Sequence, residues 1–432
     1  MTKIGYKDIL KQKEYMKMIL AALINRFGDS IDAIASTWIV YELTGSAVWS
    51  AIIYGVNKLP TVFITPLAGA WVEGRNKKCI MIFTDLIRAV CVACVATCYL
   101  LHILQPWILV ATTFIISTVE AFRGPANMAF TPKILAKEYY SYGMSLMSTL
   151  SSVVELVGTA VAAGIIAVIG VSGAIYIDMV TFLLSALIIL FVNGKEQNLQ
   201  KQKLALRKCT IDFVDGLKYV KNDKVVCFFM GLALFLNGVI VPFNSLQAPL
   251  VSEILHGGAE VLSIMGIGAT VGMLLGSALY PKIDGKVKGK VILFVSGAGI
   301  GVYYAGLIAC QPLYVNEIFM YVFIAVATGM LGFFASVCSS FMTVEFMKRV
   351  EEKYLARAAA LSTSLGSMAM PVVSFVISAF AVYMSTKTLF VIAGLLDIVI
   401  CIFIVRSHVL DDEKEVEKEM KQEIEQELKI QA

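Results

Sequence analysis

At 432 residues, 58% hydrophobic and only 16% charged, with a positive mean hydropathy, the chain does not have the composition of a soluble globular protein. Its formal net charge of +4 sits in connections between apolar runs, which points to a lipid boundary and away from nucleic acid. Nine cysteines show no metal-ligand spacing; Cys91, Cys94 and Cys98 share one face of an apolar run and read as small buried hydrophobes.

A membrane-crossing helix needs about 20 mostly apolar residues. Runs of that kind fall near 17–43, 47–72, 79–101, 106–123, 143–169, 172–193, 225–250, 260–280, 290–310, 312–340, 356–382 and 386–405. Of the 36 Lys and Arg, 32 lie before the first run, after every even-numbered run, or in the tail from Arg406. Cytoplasmic loops carry the excess of basic residues, so twelve crossings with both termini cytoplasmic are expected. The first run is long and interrupted by Arg26, Asp29 and Asp32, so it is expected to stay in place and not be cleaved as a secretory signal.

The first run carries the strongest constellation. Asn25, Asp29, Asp32 and Ser36 are spaced by four, three and four and share a helical face. Asp29 stands about 18 Å along the helix from Lys17, near the middle of a hydrocarbon core of about 30 Å. A carboxylate at that depth must be paired, face water or hold a proton. One aspartate is expected to be a proton-coupling or substrate-cation site, and at least one static pair is expected with Arg26 or with Lys58, which enters the second run at similar depth before Pro60. The bland alternative is a permanent structural pair, Arg26 or Lys58 with one of the two aspartates.

After the second run, Gly69 suits close helix approach, and Glu73 can pair with Arg75, Lys77 or Lys78 to latch the cytoplasmic side. Topology signalling alone would also explain those bases. Asp85 with Arg88 and Glu120 with Arg123, each spaced by three, read as inner-gate or packing pairs. Glu155 is a candidate for a cationic substrate; Asp178 and Asp397 read as structural.

The polar stretch 194–224 divides the runs six and six, so the expected domains are a bundle at 1–193, a cytoplasmic linker at 194–224, a second bundle at 225–406 and a charged tail at 407–432. Phe213, Leu217 and Val220 give the linker an amphipathic helix or leave it a solvated tether. In the seventh run Asn237, Asn244 and Gln247 share a face and offer neutral substrate contacts, with Pro242 and Pro249 allowing bends.

Three segments carry a family resemblance: YELTGSA at Tyr41–Ala47, GAWVEGRNKKCIM at Gly69–Met81 and FRGPANMAFTPKILAKE at Phe122–Glu138. They are similar to the major facilitator superfamily, in particular the bacterial branch that includes macrolide-efflux proteins and the enterobactin exporter. The loop departs from the family pattern, with Glu73 where Asp is usual, Gly74 for Arg and Asn76 for the second Gly, and Gly158 is followed by Thr159 where antiporters carry Gly-Pro. The resemblance implies an all-α membrane protein of twelve transmembrane helices in two six-helix bundles, the major facilitator fold.

It also implies proton-coupled efflux of amphipathic compounds such as macrolides across the plasma membrane. Siderophore or lysophospholipid export is the alternative, then uptake of a small solute. No phosphate-loop motif supports ATP drive, and His102, His256 and His408 are too scattered for a membrane-embedded enzyme. A small-molecule substrate and the bilayer are the expected partners, with no cofactor beyond a proton gradient, and the chain is expected to act as a monomer.

Overall fold

The computed structural model describes residues 6–73, 75–194, 224–349 and 352–406; the linker's proposed amphipathic helix and the charged tail lie outside them. Every long element among the described residues is helical, and each of the twelve apolar runs lies in helix.

The short α1 (Tyr6–Ile9) precedes α2 (Lys13–Thr44), which stops at Gly45, whose φ of 59° lets its N–H close on Tyr41 O. Ser46 caps α3 (Ala47–Phe63), its hydroxyl accepting from Val48 N at 3.3 Å. A break at Ile64 leads to α4 (Thr65–Glu73), and Asn76 caps α5 (Lys77–Leu100) by accepting from Cys79 N. The next helix, α6 (Pro106–Ile134), begins on its proline and runs well past the expected end of the fourth run.

The fifth and sixth runs form one continuous element, α7 (Tyr140–Leu190), interrupted only at Gly170 with φ 75° and ψ 171°. Gly158 packs on Phe27 and Ser30, while Asp178 and Thr181 pack on Gly28. Those two contacts with one turn of α2 would stand about 30 Å apart along a straight helix. The chain therefore folds back at Gly170, and only a residue free to take positive φ serves there.

The second half comprises α8 (Lys224–Ser245), α9 (Gln247–Glu253), α10 (Ala259–Ile283), α11 (Gly289–Ala309), α12 (Glu317–Arg349), α13 (Glu352–Phe380) and α14 (Thr386–Arg406). Among the described residues, six helices are long and apolar enough to cross a membrane by length and composition, and the bent pair α8–α9 makes a seventh. Large apolar side chains such as Phe83, Val90, Trp107, Val168, Val302 and Val322 point outward, the surface expected against lipid.

Helices before residue 194 pack chiefly on one another, α2 and α5 on α7 and α3 on α6; those after 224 do likewise, α10 on α12 and α11 on α14. The two sets meet where α3 lies on α13, α7 on α10, and α9 on α2. The α10–α12 contact is very close, because a Cβ on Gly272 would overlap Gly329 O and one on Gly332 would overlap Ala269 O.

Candidate functional site

A cavity of about 370 Å³ opens between the two sets of helices. From α2 come Asp29, Asp32 and Ser36; from α3, Tyr54 and Asn57; from α5, Arg88; from α6, Thr112, Thr113 and Glu120; from α8, Asn244 and Ser245. Val92, Val95, Leu109, Ile116 and Ile175 are among the apolar side chains of its wall. The four-three-four spacing puts Asp29 and Asp32 in this wall, and Thr113, Ile116 and Glu120, spaced by three and four, form the facing stripe of α6.

The charges do not pair as their spacing suggests. Arg88 Nη2 donates to Asp29 Oδ1 at 2.7 Å, and the guanidinium lies 4.1 Å over the ring of Phe182. Ser36 Oγ donates to Asp32 Oδ1 at 3.0 Å. Arg26, expected to pair with an aspartate, instead forms an ion pair with Glu155, and neither residue lines the cavity. Lys58 lies 5.4 Å over the ring of Tyr54 and takes neither aspartate. Arg26 is one residue off the Asn25–Asp29–Asp32 stripe in a helix that turns 100° per residue, so it faces α7.

A second polar layer lies among the first-half helices. Arg123 Nε donates to Asp85 Oδ1 at 2.5 Å and Ser185 Oγ to Asp85 Oδ2 at 2.7 Å, around an Asp85 with no exposed surface. The Asn25 amide joins them in the orientation that satisfies it, its oxygen accepting from Arg123 Nη2 at 2.7 Å and its nitrogen donating to Thr181 O at 3.2 Å. The pairs expected within α5 and within α6 are thus exchanged for Arg123–Asp85 and Arg88–Asp29. Because α6 continues to Ile134, Glu120 lies at mid-helix and faces the cavity, a correction to its expected place at the inner gate. Asp178 is buried against Gly28 with Thr181 Oγ1 donating to it at 3.2 Å, tying α7 to α2. Asp397 is equally buried, beside Gly301 of α11.

Among the remaining gate residues, Lys78 Nζ donates to Leu190 O and Val192 O at 2.7 and 2.9 Å, holding the carbonyl end of α7. Lys17 donates to Phe191 O, and Glu14 accepts from Asn193 N at 2.6 Å. That amide, and then Lys17, hold the Glu14 carboxyl below its ordinary value of 4.5. Arg75 stacks 3.5 Å over Trp71, and Lys77 is nearly buried. The contacts of Lys78 and Arg75 stay within the first-half helices. Glu73 ends α4, and its side chain lies outside the described residues. Gly69 does not serve a close approach: a Cβ there would meet nothing within 4 Å.

Of the three amides expected on one face of the seventh run, only Asn244 reaches the cavity. Asn237 Nδ2 donates to Ala233 O of its own helix, and a 47° bend after Ser245 separates Gln247 from Asn244. Sequence reasoning passed over Tyr54, Asn57 and Ser245; the spacing of three between Tyr54 and Asn57 was the available signal for the first two.

Contacts between the two sets gather at the end of the molecule that holds the α2–α3 turn. Tyr41 OH donates to Glu253 Oε1 at 2.9 Å, Ser374 Oγ donates to Ala51 O at 2.6 Å, and Gly55 packs on Phe375.

The profile of the transmembrane secretion effector family matches residues 8–431. The chain is 26% identical to macrolide efflux protein A of Streptococcus pyogenes over 84% of its own length and 88% of that protein. It is 22% identical to the multidrug efflux pump Tap of Mycolicibacterium fortuitum, over 70% and 75%. Among solved structures, the nucleoside transporter NupG superposes with a TM-score of 0.71 at 13% identity, over 90% of this chain and 98% of that one. A D-xylose–proton symporter gives 0.66 at 13%, over 90% and 97%. With the family profile spanning nearly every residue and the helices folded as in these transporters, the chain belongs to the transmembrane secretion effector family of the major facilitator superfamily, as a multi-pass transporter of the plasma membrane.

Proposed function

We propose that the protein is a secondary exporter of amphipathic, cationic compounds, driven by protons and working by alternating access between two six-helix bundles, 1–193 and 225–406. In this reading all twelve runs cross the membrane and both termini are cytoplasmic. The observation that carries it is the charge balance of the cavity. Three acids, Asp29, Asp32 and Glu120, share the wall with one base, Arg88, and that base is engaged by Asp29. Asp32 is left to face a proton or an organic cation, and so is Glu120. Among the described residues only the charges of Arg88 and of Lys58 behind the wall act on Glu120, and the remaining wall of the chamber mixes polar and apolar side chains. The macrolide and multidrug efflux relatives support a substrate of that kind.

The basic connections put the α2–α3 turn on the outer side. The Tyr41–Glu253 and Ser374–Ala51 bonds then close the outer seam, while Lys78 and Arg75 engage their own bundle, so this is a state closed to the outside.

The test is accumulation of a cationic macrolide and of a lipophilic dye cation in cells, with and without a protonophore. Expression of the protein should lower accumulation several-fold, and collapsing the gradient should restore it. The double variant Asp29→Asn, Asp32→Asn, at equal membrane abundance, should behave as cells lacking the protein. Export that persists in that variant rules the coupling reading out. A lipid-like substrate is the second reading, favoured by an apolar groove of about 620 Å³ between α8, α13 and α14; unchanged accumulation across a broad panel of drugs would move the assignment there.

A further inference from the structure

The seventh run breaks between Ser245 and Gln247, one turn before Pro249. The ring of Pro249 clashes with the carbonyl of Ser245 four residues earlier and offers it no N–H. Leu246 takes φ −116° and ψ 21°, outside the helical range, and α8 meets α9 at 47°. The break falls at the cavity wall. Ser245 there is only 4% exposed, and its Oγ has no hydrogen-bond partner within the described residues. Thr112 and Thr328 bond back one turn, to Ile108 O and Ile324 O, whereas the hydroxyls of Thr118 and Ser263 are also without a partner among the described residues; of these three unpartnered hydroxyls Ser245 is the one that lines the cavity. Ser245 lacks that bond, and an unpaired buried hydroxyl is costly unless something else supplies a partner.

Asn244 stands beside it in the same wall, with Tyr54 and Asn57 of α3 across the seam. Every ionisable side chain of the cavity comes from helices before residue 194, whereas Asn244 and Ser245 belong to the second half and are neutral.

We infer that the broken seventh helix presents a neutral hydrogen-bonding subsite, built on Ser245 and Asn244, which takes a hydroxyl or carbonyl group of the transported cation; this rests on the cation-site reading above. The acids hold the charge from one half, the subsite holds the uncharged polar group from the other, and a substrate carrying both draws the halves together. Ser245 Oγ both donates and accepts, so either type of group is accommodated. Cations lacking such a group bind the first half alone.

The experiment uses the full chain in lipid nanodiscs and two probes of equal charge, ethyltriphenylphosphonium and (2-hydroxyethyl)triphenylphosphonium. The wild type should bind the hydroxylated cation about fivefold more tightly, the worth of one hydrogen bond. Ser245→Ala should bring the two affinities within about twofold, leaving the ethyl probe unchanged, and Ser245→Thr, which keeps the hydroxyl, should retain the preference. Equal affinities in the wild type, or a Ser245→Ala loss common to both probes, overturn the subsite and leave the cation site standing. If neither probe binds the wild type, the cation-site reading falls and the subsite with it.

Discussion

Arg123 meets an Asp85 that has no exposed surface, and Ser185 and Asn25 supply further hydrogen bonds. Such a pair adds little net stability over well-packed apolar residues, but breaking it strands a buried charge. Arg123→Ala should therefore destabilise the protein by about 3–5 kcal/mol, read as lost thermal stability in detergent and lower membrane abundance. Replacing both partners, with Asp85→Leu and Arg123→Met, should recover most of that loss; a double variant as unstable as the single one would show that the pair does more than balance charge. The same logic separates the acids of the cavity. Asp29 is neutralised by Arg88, and Asp32 by nothing stronger than the Ser36 hydroxyl.

Among the elements, glycine decides how closely helices meet, and it does so at particular positions only. On α10, Gly268, Gly272 and Gly276 recur every four residues and admit the backbone of α12, whose Ala325 O, Gly329 O and Phe333 O lie against them. Gly272→Ala has no side chain to push aside, only a carbonyl, so the helices must part at a cost of about 1–3 kcal/mol. Gly69→Ala, in open space, should leave stability unchanged despite its place in the loop similar to the family's. Thermal denaturation of both variants in one detergent checks the contrast, and equal effects would contradict this account of the seam. Prolines act at the same scale: Pro249 breaks the seventh run at the cavity wall, while Pro60 and Pro132 sit inside unbroken helices.

For the whole molecule, the decisive feature is that the hydrogen bonds joining its two halves among the described residues gather at one end. If that end is the outer gate, joining it should stop transport. A Tyr41→Cys, Glu253→Cys pair bridged by a disulfide-containing bismaleimide should block efflux and regain it on reduction. Transport that continues in the cross-linked protein would mean that this seam does not open in the cycle. The cavity has its acids on one half and its neutral amide and hydroxyl on the other, so under the proposed function closure and substrate contact are parts of one movement.

The sequence by itself determined the helices and the shared face of Asp29 and Asp32, because helical periodicity acts on neighbours within a few turns. It also placed both aspartates and Asn244 among the site residues now found in one cavity wall. Partner choice among the charges was decided only by tertiary structure. Asp85 and Arg88 are three residues apart, yet each finds its ion-pair partner some 38 to 59 residues away. Long guanidinium side chains reach across helix interfaces as easily as along their own helix, and which acid they meet depends on how α2, α5, α6 and α7 pack. Glu120 moved from gate to cavity for the same reason, and Ser245 entered the site because Pro249 bends the chain there against a surface that no local pattern records.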